Sequence, residues 1–287
     1  MGSTMIRRAA RATAIAGCAV VLSTAIAAAG GLYFGLPFHS LDLSTTFTRV
    51  PIAMDGATDV LATALADMGF SPAELAEILS GFEEAGEAVE ETLSMLPSTV
   101  PIPLLGVGFE IGLPLLIVDG LRFTGGFVSD SLIRGIADAA GAPIPRPLFE
   151  AVFDIDELAF YGSAAVDVAF SSWMLSTELI KRLDLSLVGL TLGGGLDVIR
   201  GHVTPVLDVD IPVQYRDALA DALAALRIDE FAWSVFAAHA TVGFEVGLPF
   251  LRLYGDVRFF LPLSREENWW GVQVGAFAGL LGFAILF

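Results

Sequence analysis

Residues 236–261 read FAAHATVGFEVGLPFLRLYGDVRFFL, and their parity decides the fold. Phe236, Ala238, Ala240, Val242, Phe244 and Val246 alternate with Ala237, His239, Thr241, Gly243 and Glu245. After Leu248-Pro249 the alternation resumes, with Leu251, Leu253, Gly255, Val257, Phe259 and Leu261 against Arg252, Tyr254, Asp256 and Arg258. Side chains of a strand point to opposite faces in turn, so each run has one apolar face and one polar face. A four-residue loop at Gly247 to Phe250 sets Val246 opposite Leu251, Phe244 opposite Leu253, Glu245 opposite Arg252 and His239 opposite Arg258. Both faces then agree across the turn, as in a transmembrane β-hairpin. Because proline cannot take φ > 0, a four-residue loop is expected rather than a two-residue primed turn.

The pattern recurs along the chain. VGFEIGLPLLIVDGLRF at 107–123 parallels VGFEVGLPFLRLYGDVRF at 242–259 with one residue fewer, and FGLPF at 34–38 echoes both. This reads as a repeated strand, Gly-Leu-Pro turn and returning strand. Strict pairing in the first copy puts Arg122 on the apolar face unless a bulge near Asp119 turns it. Further alternating runs lie at Leu41 to Phe47 and at Leu158 to Met174, the latter with Tyr161, Ser163, Asp167 and Ser171 on its polar side. Eight strands are expected, at roughly 37–50, 102–112, 115–127, 155–174, 183–200, 232–247, 250–263 and 269–287. The number rises to ten if VTPVLDVDIPV at 203–213 and a divided 183–200 segment contribute.

The chain ends GVQVGAFAGLLGFAILF, with no charged residue over 271–287. Phe277, Leu281, Phe283, Ile285 and Phe287 share one parity. The other inward-directed set, Val272, Val274, Ala276, Leu280 and Leu286, is also apolar, which suits helices packed in a lumen or a path for a hydrophobic ligand. Composition agrees with membrane residence: 55% hydrophobic and 17% charged residues over 287 positions, with mean hydropathy +0.71. A formal charge of −18 excludes a nucleic-acid footprint. Basic flanks of the kind that border inner-membrane helices are missing after the first dozen residues.

The N-terminus has the layout of a secretory signal peptide over 1–29: Arg7, Arg8 and Arg11, an apolar run from Ala12 to Ala27, and small-x-small sites ending at Ala27 or Ala29. Ile15-Ala16-Gly17-Cys18 resembles a lipobox, although Cys18 falls near the start of the apolar run, so lipidation stays a rival reading. Cys18 is the only cysteine, and cleavage leaves a chain without thiol or disulfide chemistry.

On the signal peptide, the alternating hairpins and the terminal strand, the chain resembles bacterial outer-membrane β-barrel proteins, with a looser similarity to those of spirochaete type. The resemblance implies residence in the outer membrane among its lipids. It also implies that Leu281, Phe283, Ile285 and Phe287 are read by the barrel-assembly machinery, although Gly279 stands where the class often has an aromatic residue. Trp269 and Trp270 would suit the interfacial aromatic girdle.

The expected architecture is therefore an all-β transmembrane barrel of about eight antiparallel strands over 30–287. Amphipathic helical insertions are expected at about 55–97, 129–145 and 213–228. Ser71-Pro72-Ala73-Glu74 is a capping box with proline at the first helical position. Leu75, Ile78, Leu79, Phe82, Val89, Leu93 and Leu96 keep a helical spacing behind it, against a face of seven glutamates between Glu74 and Glu91. Such an acidic helix, 72–96, is a candidate surface for a partner.

The candidate site is the polar lumen face: Glu110, Asp167, His239, Glu245, Arg252, Tyr254, Asp256 and Arg258. About eight strands leave an interior that side chains can close, so a general porin is not expected. His39, His202 and His239 have no metal-ligand spacing, and neither a nucleophile elbow nor a phosphate loop is present, so no catalytic residue, metal or cofactor is assigned. Asp208 and Asp210 read as a solvated strand rather than a Ca²⁺ loop. Gly193-Gly194-Gly195 reads as a strand bend or a close approach. The first functional reading is passage or binding of small molecules, hydrophobic ones included, through or at a narrow lumen; the alternative is a structural or surface-interaction barrel whose acidic helical loops bind a partner without transport.

Overall fold

The computed structural model describes residues 30–76, 79–80, 97–113, 115, 117–141, 149–155, 160–185, 187–210, 216–225, 227, 231–248, 250–266 and 268–286. The expected signal peptide, most of the acidic helix and Phe287 lie outside these residues, as do the side chains of Tyr161, Ser163, Asp208 and Asp210.

The described elements are β1 (Gly31–Asp42), α1 (Ser44–Asp67), β2 (Thr99–Pro103), β3 (Leu105–Gly112), β4 (Gly120–Ser129), α2 (Asp130–Ala139) and β5 (Phe149–Ile155). They continue with β6 (Phe160–Leu185), β7 (Val188–Asp210), α3 (Arg216–Ala225), β8 (Ala232–Leu248), β9 (Leu251–Arg265) and β10 (Gln273–Leu286). All strand pairings are antiparallel, and β10 pairs back onto β1, so the sheet closes into a barrel. Ten strands form the sheet, but the ring has eight positions. Two of the strands are continuations: β2 and β3 lie end to end along β1, and β5 extends beside β6 beyond the reach of β4. The kink between β2 and β3 falls at buried Leu104, whose N–H is donated to the Pro37 carbonyl at 2.7 Å.

The start of β1 and the end of β10 lie at one end of the barrel, since Gly31 pairs with Leu286. At that end β6 and β7 are joined by two residues, as are β8 and β9. The helices and the long connections occupy the other end. There β6 and β7 run on together past the ring, from Ser171–His202 to Ser163–Asp210.

Several sequence expectations are corrected. The β8–β9 hairpin closes at Leu248↔Leu251, so Glu245 faces Tyr254 and His239 faces Phe260. This is a slip of two residues from the expected register, which leaves every side chain on its expected face because the period is two. The FGLPF echo at 34–38 is no turn, since it lies within β1. The first hairpin copy turns through Leu113 to Asp119, and the Asp119 carbonyl accepts a hydrogen bond from the Leu113 N–H at 2.8 Å. This longer turn sets Glu110 opposite Arg122 and brings Arg122 inward. Residues 44–50, expected as strand, begin the 24-residue helix α1. Its inner stripe, Thr46, Ala53, Ala57, Leu61 and Leu65, keeps helical spacing. Residues 175–182, expected as a loop, continue β6, and 203–210 lengthen β7 rather than adding a strand to the ring.

The capping box is present: the Ser71 N–H is donated to Glu74 Oε2 at 2.7 Å and the Glu74 N–H to Ser71 Oγ at 3.4 Å, with 72–76 helical. The Gly193–Gly195 stretch is a close approach. A Cβ on Gly195 would stand 1.9 Å from the Thr177 carbonyl oxygen, and one on Gly193 would stand 2.3 Å from Glu178 Oε1.

Candidate functional site

The outer wall is apolar. Along β9, the outward residues Leu251, Leu253, Val257, Phe259, Leu261 and Leu263 are all exposed. Neighbouring strands add Val242, Phe244, Val246, Phe277, Leu281, Phe283 and Ile285. Leu251 to Leu263 spans about 40 Å of strand. At a barrel tilt near 40° that is about 30 Å of height, the thickness of a bilayer core.

Inside, the lumen is filled in two layers. Toward the long-loop end lies an apolar cluster that includes Leu41, Leu104, Val128, Met174, Ile199, Trp233, Phe260, Val272 and Val274. Ala53 of α1 belongs to it, with Leu43 and Val50 packed alongside, so α1 lids the mouth. Thr46 Oγ1 donates to the Trp270 carbonyl at 3.0 Å, which fastens this lid to the β9–β10 connection. At the edge of the layer buried His39 shares a 2.9 Å hydrogen bond between its Nε2 and Ser172 Oγ.

Toward the short-turn end the lumen is ionic. Arg122, 2% exposed, is its centre. Its guanidinium lies 3.5 Å from Glu245, 3.5 Å from Asp256, 3.8 Å from Glu110 and 3.8 Å from Glu178. It also sits 4.4 Å from the ring centroid of Tyr33 and 5.8 Å from that of Tyr254, a cation–π arrangement on both sides. Arg182 pairs with Glu110 and with Glu245, the latter at 3.0 Å, and donates to the Tyr33 hydroxyl. Arg258 donates to Ser176 Oγ at 2.8 Å and lies 3.5 Å from Glu178, 3.6 Å from Asp197 and 3.4 Å from Asp256. His239 holds Asp197 through Nδ1, with Nε2 3.8 Å from Glu178. Arg252 closes the layer at the rim, 3.2 Å from Glu245 and 2.8 Å from Asp184.

Of the site residues expected from sequence, the structure brings Glu110, His239, Glu245, Arg252, Tyr254, Asp256 and Arg258 into this one network. Asp167 is elsewhere: it pairs with Arg134 of α2 near the long-loop end, on the parity opposite to inward Ser172 and Met174. Arg122, Glu178, Arg182, Asp197 and Tyr33 were missed. Glu178 and Arg182 lie in the polar stretch STELIKRLD, which reads as a loop only until its even positions are matched to the inward parity of β6. Trp270 is also corrected: it is buried at the lid, donating from Nε1 to the Arg227 carbonyl at 2.8 Å, and is not part of an outer girdle. Ala276 turns outward because the β1–β10 register shifts between His39 and Leu41. Leu281, Phe283 and Ile285 face outward. Among the described residues no group of three or more His, Cys, Asp or Glu side chains is placed to hold a metal ion.

No protein-family model and no curated protein matches the chain. The solved structures to which the chain is similar include the following two. One is Neisserial surface protein A, at 9% identity and a TM-score of 0.35, over 90% of this chain and 97% of that one. The other is Ail, the attachment invasion locus protein of Yersinia pestis, solved with the heparin analogue sucrose octasulfate, at 9% identity and a TM-score of 0.31, over 90% and 99%. Neither bears on the spirochaete-type likeness. The barrel rests on its own closed hydrogen-bonded ring, independently of both.

Proposed function

We propose that the chain is a bacterial outer-membrane barrel that keeps its own lumen shut and serves as an anchor for an acidic surface platform. The observation that carries this reading is a lumen packed from lid to rim inside an apolar wall about 30 Å tall. A soluble barrel would have no reason to expose Leu253 at 65% and Leu261 at 66% in one continuous band. The short turns, the start of β1 and the end of β10 at one end fit a periplasmic face, and the long helical connections fit the outside. Export by the 1–29 signal peptide, and recognition of the outward Leu281, Phe283 and Ile285 with Phe287 by the assembly machinery, complete the reading.

Passage of small molecules through the lumen is the weaker alternative, because it requires the Arg122-centred layer and the α1 lid both to open. The platform reading instead uses the acids left in solvent at the long-loop end, among them Asp55, Asp59, Asp67 and Asp138, as the surface offered to a partner. Two experiments test it. The detergent-folded mature chain should migrate differently with and without boiling, and should give no steady conductance in planar bilayers; a stable conducting state refutes the shut lumen. An epitope inserted after Gly69 should be reached by antibody on intact cells, and its protection there refutes the surface orientation.

A further inference from the structure

We propose that the outer wall carries a lipid site, with a phosphate-bearing headgroup against Arg200 and His202 and an acyl chain in the groove beside them; this rests on the membrane reading above. Two cavities neighbour one another on the outside of the barrel. The first, of about 470 Å³, is polar and lies at the long-loop side, bordered by Ser171, Trp173, Arg200, His202, Ser234 and Glu266. The second, of about 600 Å³, is apolar and crosses the wall. Three strands lead from one into the other by single same-face steps: Trp173 to Leu175 on β6, Arg200 to Val198 on β7 and Ser234 to Phe236 on β8. Each step is about 7 Å, so a headgroup and the first part of its chain span both.

The polar cavity is equipped for an anion. Arg200 Nε donates to Ser234 Oγ at 3.1 Å, which fixes the guanidinium and leaves its two terminal nitrogens for a ligand. His202 Nδ1 shares a 3.1 Å hydrogen bond with Ser171 Oγ, which orients the ring. No described carboxylate forms an ion pair with Arg200, although acids outnumber bases by 33 to 15 in the chain. Glu266 borders the same space and is placed to meet a headgroup amine, which makes phosphatidylethanolamine a fitting probe. The groove owes depth to Gly125, which lines it; a Cβ there would meet the flexible Leu175 side chain at 3.3 Å and the Met174 carbonyl oxygen at 4.0 Å.

Native mass spectrometry of the detergent-folded mature protein tests the site. Phosphatidylethanolamine should be retained as a single adduct where diacylglycerol with the same chains is lost. R200Q/H202Q should weaken that retention roughly tenfold or more, as loss of charge-assisted bonds does. Gly125→Val should weaken it from the tail side while leaving the polar cavity intact. Both variants must keep the boiled-versus-unboiled mobility shift, so that lost binding is not lost folding. Equal retention of diacylglycerol, wild-type retention by both variants, or displacement by equimolar glycerophosphoethanolamine would each overturn the lipid assignment. Failure of the wild-type protein to insert into vesicles would overturn the membrane reading itself, whereas insertion without a headgroup preference overturns this inference alone.

Discussion

Replacing Arg122 by methionine tests whether the ionic layer is what closes the short-turn half of the barrel. Four carboxylates lie at 3.5 to 3.8 Å from its guanidinium. At an effective dielectric near 20 each such pair is worth about 4.5 kcal/mol of gross attraction, opposed by several kcal/mol of desolvation for every buried charge. Each carboxylate keeps another cation when Arg122 goes: Glu110 keeps Arg182, Glu178 and Asp256 keep Arg258, and Glu245 keeps Arg182 and Arg252. The cost should therefore fall at the lower end of the range for breaking a buried pair, about 3 kcal/mol. Arg122→Met combined with Asp256→Leu removes one charge of each sign and should cost less than the sum of the two single changes, by at least about 1 kcal/mol. The assay is the denaturant midpoint of the gel-mobility transition in vesicles, with the slope checked for constancy. A neutral Arg122→Met, or strict additivity in the double variant, would show that the layer is a passive filling rather than a charge-coupled closure.

Val257→Arg places a charge midway along the apolar run of β9 and should lower folding stability by about 2–4 kcal/mol in bilayers. If vesicle titrations show a change under about 0.5 kcal/mol, the wall faces water. Gly195→Ala should abolish the heat-modifiable band because its Cβ meets the Thr177 carbonyl at 1.9 Å, whereas Gly194→Ala, whose nearest atom lies at 3.4 Å, should retain it. Asp119, in the turn outside the strands, has its pKa held below the ordinary value by the Lys181 ammonium at 2.7 Å and the Arg182 N–H. Its contribution is thus fully present above an unfolded pKa of about 3.9 and is lost as pH falls through the lower folded value. A carbon-13 carboxyl titration of Asp119 should show the depressed midpoint, and Lys181→Met should move it upward.

The architecture was legible because a period of two survives errors of register. In the β8–β9 hairpin the loop was placed two residues too long, yet Val242, Phe244, Leu253 and Val257 still came out on the wall and His239, Glu245 and Arg258 in the lumen. Turn chemistry was less legible, because Gly-Leu-Pro has three fates here: a strand interior in β1, a seven-residue turn after β3 and a two-residue turn after β8. Local sequence does not separate these, since each is chosen by what the flanking strands must pair with. Glu178 and Arg182 were hidden for a related reason. Charged residues two or four apart look like a loop unless the lumen that receives them is already known, and Arg122 depends in turn on the 113–119 turn that brings it inward.

The two layers of the lumen also explain why the insertions are helical. An amphipathic helix needs an apolar surface to cover, and the barrel mouth offers one because Leu41, Val272 and Val274 project into it above the charged layer. Helix α1 takes that surface with Val50 and Ala53 and packs along α3 beyond the rim. The first part of its inner stripe, Thr46 and Ala53, is spent on the mouth, Leu61 and Leu65 pack instead against Phe70, Leu75 and Leu79, and acids such as Asp55 and Asp59 are left outward. Filling the upper lumen with a pore-lining polar set would have removed the partner surface of the lid and, with it, the ordered display of those acids. In the proposed function a shut barrel and an acidic platform are then one design, since the apolar layer that fills the upper lumen is the same layer that Val50 and Ala53 of the helix pack against.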